Sequence, residues 1–223
     1  NSIAELKARR KKSAELADKV VESGVKVVCF DMDQCMVAQH SMGSLLHRNV
    51  EKYISKTSPD FPEFAMALAV RGIKLAVATH SDAAEHSFLR PKRFFCLGEM
   101  LARAVLRATV PDIANDFFVV AYNPVSRRNK RNCDAAKKLH IRHIARKFGS
   151  DPSECILFDD DPTNCRDTDG LFSAYRVDAK RGFQLDDALL AISDVSPMCM
   201  AHSSSRGSGD GGHHVRATPA AGC

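Results

Sequence analysis

Residues 27–37 read VVCFDMDQCMV, and this stretch decides the fold. Four apolar residues run without alternation into Asp31, Met32 and Asp33. A short continuous apolar run of this kind fits a strand buried on both faces, and the acids mark where it leaves the core. The same pattern recurs further along the chain. Residues 73–78 form a second run that continues as LAVATHSD (75–82), and 117–121 form a third. Residues 155–158 form a fourth that continues as ILFDDDPTN (156–164), and 173–177 a weaker fifth. Helical stretches lie between them at 59–71, stopped by Gly72, at 98–107, and at 134–148, stopped by Gly149. Strands alternating with helices predict an α/β fold: a three-layer, Rossmann-like parallel sheet covered on both faces.

Composition narrows the class. The chain has 223 residues, 44% hydrophobic and 26% charged, which suits one domain with short appendages and excludes a disordered chain. Its longest apolar stretches, such as 64–70 and 117–122, fall far short of the roughly 20 residues a bilayer helix needs, so no membrane role is expected. The first helix, residues 2–23, is charged and ends near Gly24; it gives an N-terminal element over 1–24, ahead of a main domain over 25–192. Residues 193–223 lose all periodicity, contain SSSRGSGDGG, and read as a flexible tail in which His213 and His214 are inert. The eight cysteines contain no C-x-x-C pair, which argues against zinc and disulfides. With no secretory signal visible, the expected setting is cytoplasmic and reducing.

The net charge of +5 conceals an asymmetry. Residues 127–147 carry nine Lys and Arg against one acid, and 151–187 carry ten acids against four bases. That pattern fits nucleic-acid binding, a solvated helix face, or an anionic substrate meeting a cation site. Trp is absent and aromatic residues are few, so no stacking platform for single-stranded nucleic acid stands out.

In parallel α/β sheets, sites form beyond the carboxyl ends of the strands. Asp31 and Asp33 come after the first run, Thr79, His80, Ser81 and Asp82 after the second, and Asp159, Asp160, Asp161 and Asn164 after the fourth. Lys137 and Lys138 begin the helix that precedes the fourth. These residue types suit phosphoryl transfer from a monoester. One carboxylate attacks phosphorus, a second exchanges the proton, and a hard cation such as Mg²⁺ relieves the repulsion among the acids. Hydroxyl and ammonium groups hold the phosphoryl oxygens.

In their order and spacing, D-x-D after an apolar strand, a strand ending in Thr, an upstream lysine, and a strand ending in an acidic pair resemble the four motifs of the haloacid dehalogenase-like superfamily. The likeness covers residues 25–177. The stretch from Lys137 through His140 to FDDDPTN is similar to that family's small, minimally capped magnesium-dependent phosphatases. The resemblance implies Asp31 as nucleophile and Asp33 as general acid/base that also lends its backbone carbonyl to Mg²⁺. It implies Thr79 and Lys137 as phosphate-binding, with His80 beside them and Lys138 as the alternative lysine. Asp159 and Asp160 would complete the metal site with Asp31 and Asp33, and Asn164 would order their loop. Cys35 stands where the family usually has Thr or Val, and Gln34 where a small residue is common. Residues 34–58 supply at most a small flap as cap, and 88–116 mostly extra helices. His40, Ser41, His80 and Ser81 lie close after strand ends, in reach of a substrate, and read first as polar loop groups; His140 and His143 read as structural.

The expected function is therefore a Mg²⁺-dependent phosphatase with an aspartyl-phosphate intermediate, acting on a phosphorylated small molecule or protein. The alternative is a weakly active or inactive subunit of the same fold that contacts a protein partner through its N-terminal helix or C-terminal tail.

Overall fold

A computed structural model describes residues 2–81, 93–122, 137–166 and 168–193. Helix α1 (Ile3–Glu22) opens with a capping box: the Ser2 hydroxyl accepts the Glu5 amide, and the Glu5 carboxylate accepts the Ser2 amide. Strand β1 (Val27–Phe30) is followed by a three-residue strand β2 (Ser44–Leu46), the short helix α2 (Val50–Ile54), helix α3 (Asp60–Val70) and strand β3 (Lys74–Thr79). Then come β4 (Phe95–Leu97), α4 (Glu99–Thr109), β5 (Phe118–Ala121) and α5 (Lys138–Phe148). The described chain closes with β6 (Cys155–Asp159), α6 (Pro162–Arg166), β7 (Ser173–Arg176) and α7 (Leu185–Ser193). Five strands form one parallel sheet in the order β5-β3-β1-β6-β7. Helices cover both faces, so the architecture is three-layered and Rossmann-like.

Strand alternation sorts the core. Val28 and Phe30 of β1, with Ile156 and Phe158 of β6, face the larger cluster, which takes in residues of α1, α3, α4 and α7. Its centre is aromatic. Phe30 stacks on Phe158 with ring centroids 5.6 Å apart, and Phe64 stacks on Phe183 at 5.2 Å. Val27 and Cys29, with Cys155 and Leu157, face the other way, against Ile141, Ile144 and Ala145 of α5.

Three expectations need correction. First, α1 is no appendage. Leu16, Ala17 and Val20 are completely buried, and Arg9 and Lys12 pair with Asp60 and Asp186 on the domain body. The helix supplies apolar cover that the aromatic cluster requires, so the sequence boundary at residue 24 is not a structural one. Second, residues 88–116 supply more than helices: β4 pairs antiparallel with β2 and knits the flap from two distant segments. Third, α5 begins at Lys138, and Lys137 precedes it with φ +45°, in the left-handed region. Residues 134–136, assigned to this helix from the sequence, lie outside the described residues. So do the tail beyond residue 193 and the basic run 127–131.

Among the described residues, no helix is long and apolar enough to cross a membrane. Cys29, Cys35, Cys96, Cys155 and Cys165 are free thiols.

Because α1 closes the core, Leu16→Ala should lower unfolding free energy by about 2–5 kcal/mol in urea denaturation. A change below about 0.5 kcal/mol, as expected at a surface position, would mean that the helix is dispensable.

Candidate active site

Strand register and alternation build the site. Val27 pairs with Cys155 and Cys29 with Leu157 across β1 and β6. Two residues further on, the same alternation brings Asp31 and Asp159 to the α5 side, at the carboxyl edge. Lys137, just ahead of α5, reaches over that edge. Its ammonium lies 2.5 Å from Asp31 Oδ1 and 2.6 Å from Asp159 Oδ2. Lys138 turns elsewhere and pairs with Asp169 at 2.5 Å. Of the two candidate lysines, the structure brings only Lys137 to the acids. Lys137 stands at the helix entrance with φ +45°, and its side chain crosses the strand ends to reach both acids.

The acidic loop after β6 is ordered by its own hydrogen bonds. Asn164 donates from its amide to both oxygens of Asp159, at 3.0 and 3.1 Å. The Asp161 backbone amide donates to Asp159 Oδ1 at 2.9 Å, and the Thr163 amide to Asp161 Oδ1 at 2.7 Å. Asp31, Asp159 and Asp160 each offer a carboxylate oxygen, and these oxygens lie within 4.8 Å of one another. The Asp33 side chain does not join them. Its place in the metal set, expected through the backbone carbonyl, therefore gains no carboxylate contribution. Instead it faces the flap, accepting from the Tyr53 hydroxyl at Oδ1 and from the Ser41 hydroxyl, 2.7 Å away, at Oδ2. His40 Nδ1 sits 2.9 Å from Asp33 Oδ2.

These groups open into a cavity of about 380 Å³ whose wall also includes Thr79, His80 and Gln34. The Thr79 hydroxyl accepts a 3.4 Å contact from the Ser81 amide. Ser81 is itself a buried strut: its hydroxyl donates to the Gly43 carbonyl and accepts the Gly98 amide, joining β3's end to the flap. Cys35 is fully buried, with its thiol directed at the Phe158 carbonyl, so it acts as packing. Gln34 has φ +58° and lines the cavity. The loop bearing these residues is braced from below by Gly182. A Cβ there would lie 2.9 Å from the Cys35 carbonyl oxygen, and the adjacent Phe183 amide donates to that same oxygen at 2.8 Å.

The electrostatics arise from burial and neighbours. Burial pushes Asp31 above the ordinary carboxylate range; the Lys137 ammonium opposes this and the Asp159 charge adds to it. Burial alone would lower Lys137, but the charges of Asp159 and Asp31 outweigh it and hold the ammonium protonated. For Asp33 burial acts upward, and the donors His40, Tyr53 and Ser41 outweigh it, holding the carboxyl below its usual range. Desolvation and then the Lys137 charge push His80 down to about 4. His80 is thus a neutral wall residue at pH 7, able to donate one N–H to an anion but not a charge. Its ring lies 5.1 Å from that of His140, which is fully buried and stacked on Tyr122 at 4.4 Å.

Tyr53 is a site feature that the sequence does not single out, and His40 and Ser41, polar loop groups by sequence, meet Asp33. Tyr53 is one of three tyrosines in the chain and sits in a short helix among charged residues, the only signal available.

No family model and no curated protein matches this chain. Among solved structures it is similar to DsGPDH of Dunaliella salina, with 16% identity, a TM-score of 0.41, and coverage of 70% of this chain and 23% of that one. It is also similar to a hypothetical protein of Xanthomonas campestris, with 13% identity, a TM-score of 0.38, and coverage of 85% and 93%. The chain therefore spans about a quarter of the DsGPDH length. Neither likeness bears on function.

Burial, then Lys137 and His80, push His140 down to about 3. A histidine kept neutral when folded binds its proton only in the unfolded chain between pH 6.5 and about 3, so stability should rise with pH across that window. Measured as unfolding free energy between pH 4 and 6.5, His140→Gln should flatten this slope; an unchanged slope would show that His140 does not contribute to it.

Proposed function

We propose that the protein is a Mg²⁺-dependent phosphatase that hydrolyses phosphate monoesters through an aspartyl-phosphate on Asp31. The observation that carries this reading is the convergence of Asp31, Asp159 and Asp160 at one cavity, with Lys137 lodged between the first two.

The donor set fits a hard divalent cation. All three groups are carboxylates, the ligand type Mg²⁺ prefers, and their close approach is unfavourable without added positive charge. Among the described residues, five aspartates line the cavity against the ammonium of Lys137, a balance that favours a cation there. Asp31, Asp159 and Asp160 would hold the ion, with the Asp33 carbonyl as a further ligand. When bound, Mg²⁺ supplies charge neutralisation and orients phosphoryl oxygens.

The rest of the chemistry belongs to the chain. Lys137 holds Asp31 Oδ1, which leaves Oδ2 to attack phosphorus. The negative charge of the ester beside Asp33 favours its protonated form; as the new O–P bond forms, the ester P–O bond breaks and the leaving oxygen takes that proton. Asp33, now ionised, removes a proton from water; the resulting hydroxide attacks phosphorus, and the Asp31–phosphorus bond breaks to release inorganic phosphate. The Thr79 hydroxyl and the neutral His80 N–H are available to the phosphoryl oxygens, and Lys137 offsets the charge they accumulate. Among the described residues the flap leaves the cavity open, which supports substrates with a bulky leaving group, a phosphoprotein among them.

With p-nitrophenyl phosphate and Mg²⁺, Asp31→Asn should lower kcat by about 10⁴-fold or more, and EDTA should abolish turnover. Ca²⁺ should inhibit, because its longer and looser coordination misplaces the attacking oxygen. Equal turnover by wild type and Asp31→Asn, or a rate indifferent to EDTA, would overturn the reading.

A further inference from the structure

Among the described residues, those that hold the Asp33 carboxylate all come from the flap. Tyr53 lies on α2, twenty positions down the chain from Asp33, and Ser41 lies eight positions away, on the far side of the loop after β1. The Tyr53 ring is 1% exposed and belongs to the main core cluster, so its position is fixed by packing. A buried phenol needs a partner for its hydroxyl, and Asp33 Oδ1 is that partner. Burial and the Asp33 charge push the phenol well above its ordinary range, so it remains a donor at every working pH.

The backbone strengthens the arrangement. The Ala38 amide donates to the Lys56 carbonyl at 2.9 Å and the Ser58 amide to the Met36 carbonyl at 3.0 Å, so the segment after α2 is laced to the loop that carries Asp33. Ser41 is 2% exposed and accepts the Gly43 amide at 3.1 Å while its own hydroxyl donates to Asp33 Oδ2. His40 differs. Its Nδ1 lies 2.9 Å from Asp33 Oδ2 and accepts the Met42 amide at 3.0 Å, two uses that one nitrogen cannot serve together. The fixed donors are therefore Tyr53 and Ser41.

We infer that Tyr53, with Ser41, is a positioning residue that docks the flap onto Asp33 and fixes the direction in which its carboxyl meets the leaving oxygen. The inference rests on the phosphatase reading, in which Asp33 is the proton donor. Tyr53 touches neither substrate nor phosphorus in this account. It acts only through Asp33, and so its loss should be felt only where a proton must be delivered.

That dependence provides the test. A p-nitrophenolate leaves without a proton, whereas the alkoxide of β-glycerophosphate needs one, and kcat/KM reports the step in which each departs. Tyr53→Phe keeps the buried ring and removes only the hydroxyl. It should lower kcat/KM for β-glycerophosphate by about tenfold or more while leaving p-nitrophenyl phosphate within about threefold, and Ser41→Ala should move the ratio in the same direction. Equal losses on both esters would indicate a merely structural role and overturn the inference, as would an unchanged ratio in both variants. A second readout needs no turnover: the carboxyl-carbon NMR resonance of Asp33 should move in Tyr53→Phe and stay in place in Tyr175→Phe, which removes a hydroxyl from β7. An Asp33 resonance unmoved by Tyr53→Phe would also overturn it. Wild-type protein that turned over neither ester would instead remove the phosphatase reading, and the resonance would then decide the docking by itself.

Discussion

A single buried ammonium holds the site together. Lys137, 2% exposed, stands between carboxylates delivered by two different strands. Burying three charges is costly unless each is paired and hydrogen-bonded. Here Asn164 and the Asp161 amide satisfy Asp159, and the lysine satisfies Asp159 and Asp31 together. The left-handed φ of Lys137 is a modest further strain, of order 1 kcal/mol, at the residue whose side chain reaches across the sheet edge. Removing the lysine would leave two buried carboxylates facing each other without relief.

The rest of the fold brings the acids within its reach. Parallel pairing of β1 and β6 puts residues of like alternation side by side, so one register sets both the apolar pairs below and the acids above. Beneath the sheet the aromatic cluster, closed by α1, fixes that register against slippage, since a one-residue shift would drive Phe30 and Phe158 into the α5 face. Above the sheet, Ser81 and the short β2–β4 pair hold the flap against the strand ends. The core and the flap thus act on the same edge from opposite sides.

Much of this was legible in the sequence, because a buried parallel strand announces itself as an uninterrupted apolar run. All five central strands lie where such runs occur, shifted by a residue or two at their ends. Asp31, Thr79, Asp159 and Asn164 stand out in the sequence because polar residues at the carboxyl end of a buried run lie where a parallel sheet places its site; Lys137 stands out only through the motif resemblance. The features that escaped share a cause. Strands β2 and β4 are three residues each and pair across some fifty positions, too short for periodicity to register. The burial of α1 depends on which face meets α3 and α7, information that a charged helix pattern does not carry. Tyr53's bond to Asp33 is a long-range contact between a core ring and a loop acid, with no local spacing to betray it. Lys137 was identified as a residue, but its place outside the helix was not, because left-handed backbone leaves no mark on a lysine.

These features give each acid a distinct task. Asp31 and Asp159 share the Lys137 ammonium in a dry setting; Asp33, two residues on from Asp31, is oriented by flap hydroxyls. The central claim is that Asp31 becomes covalently phosphorylated, and it is tested most directly by trapping. A reaction on p-nitrophenyl phosphate with Mg²⁺ is quenched in acid and reduced with borohydride, which converts an acyl phosphate to the alcohol, and the peptides are sequenced by mass spectrometry. The account predicts reduction at Asp31 only in samples that received substrate. Reduction at a different aspartate, or none while phosphate is being released, would contradict it.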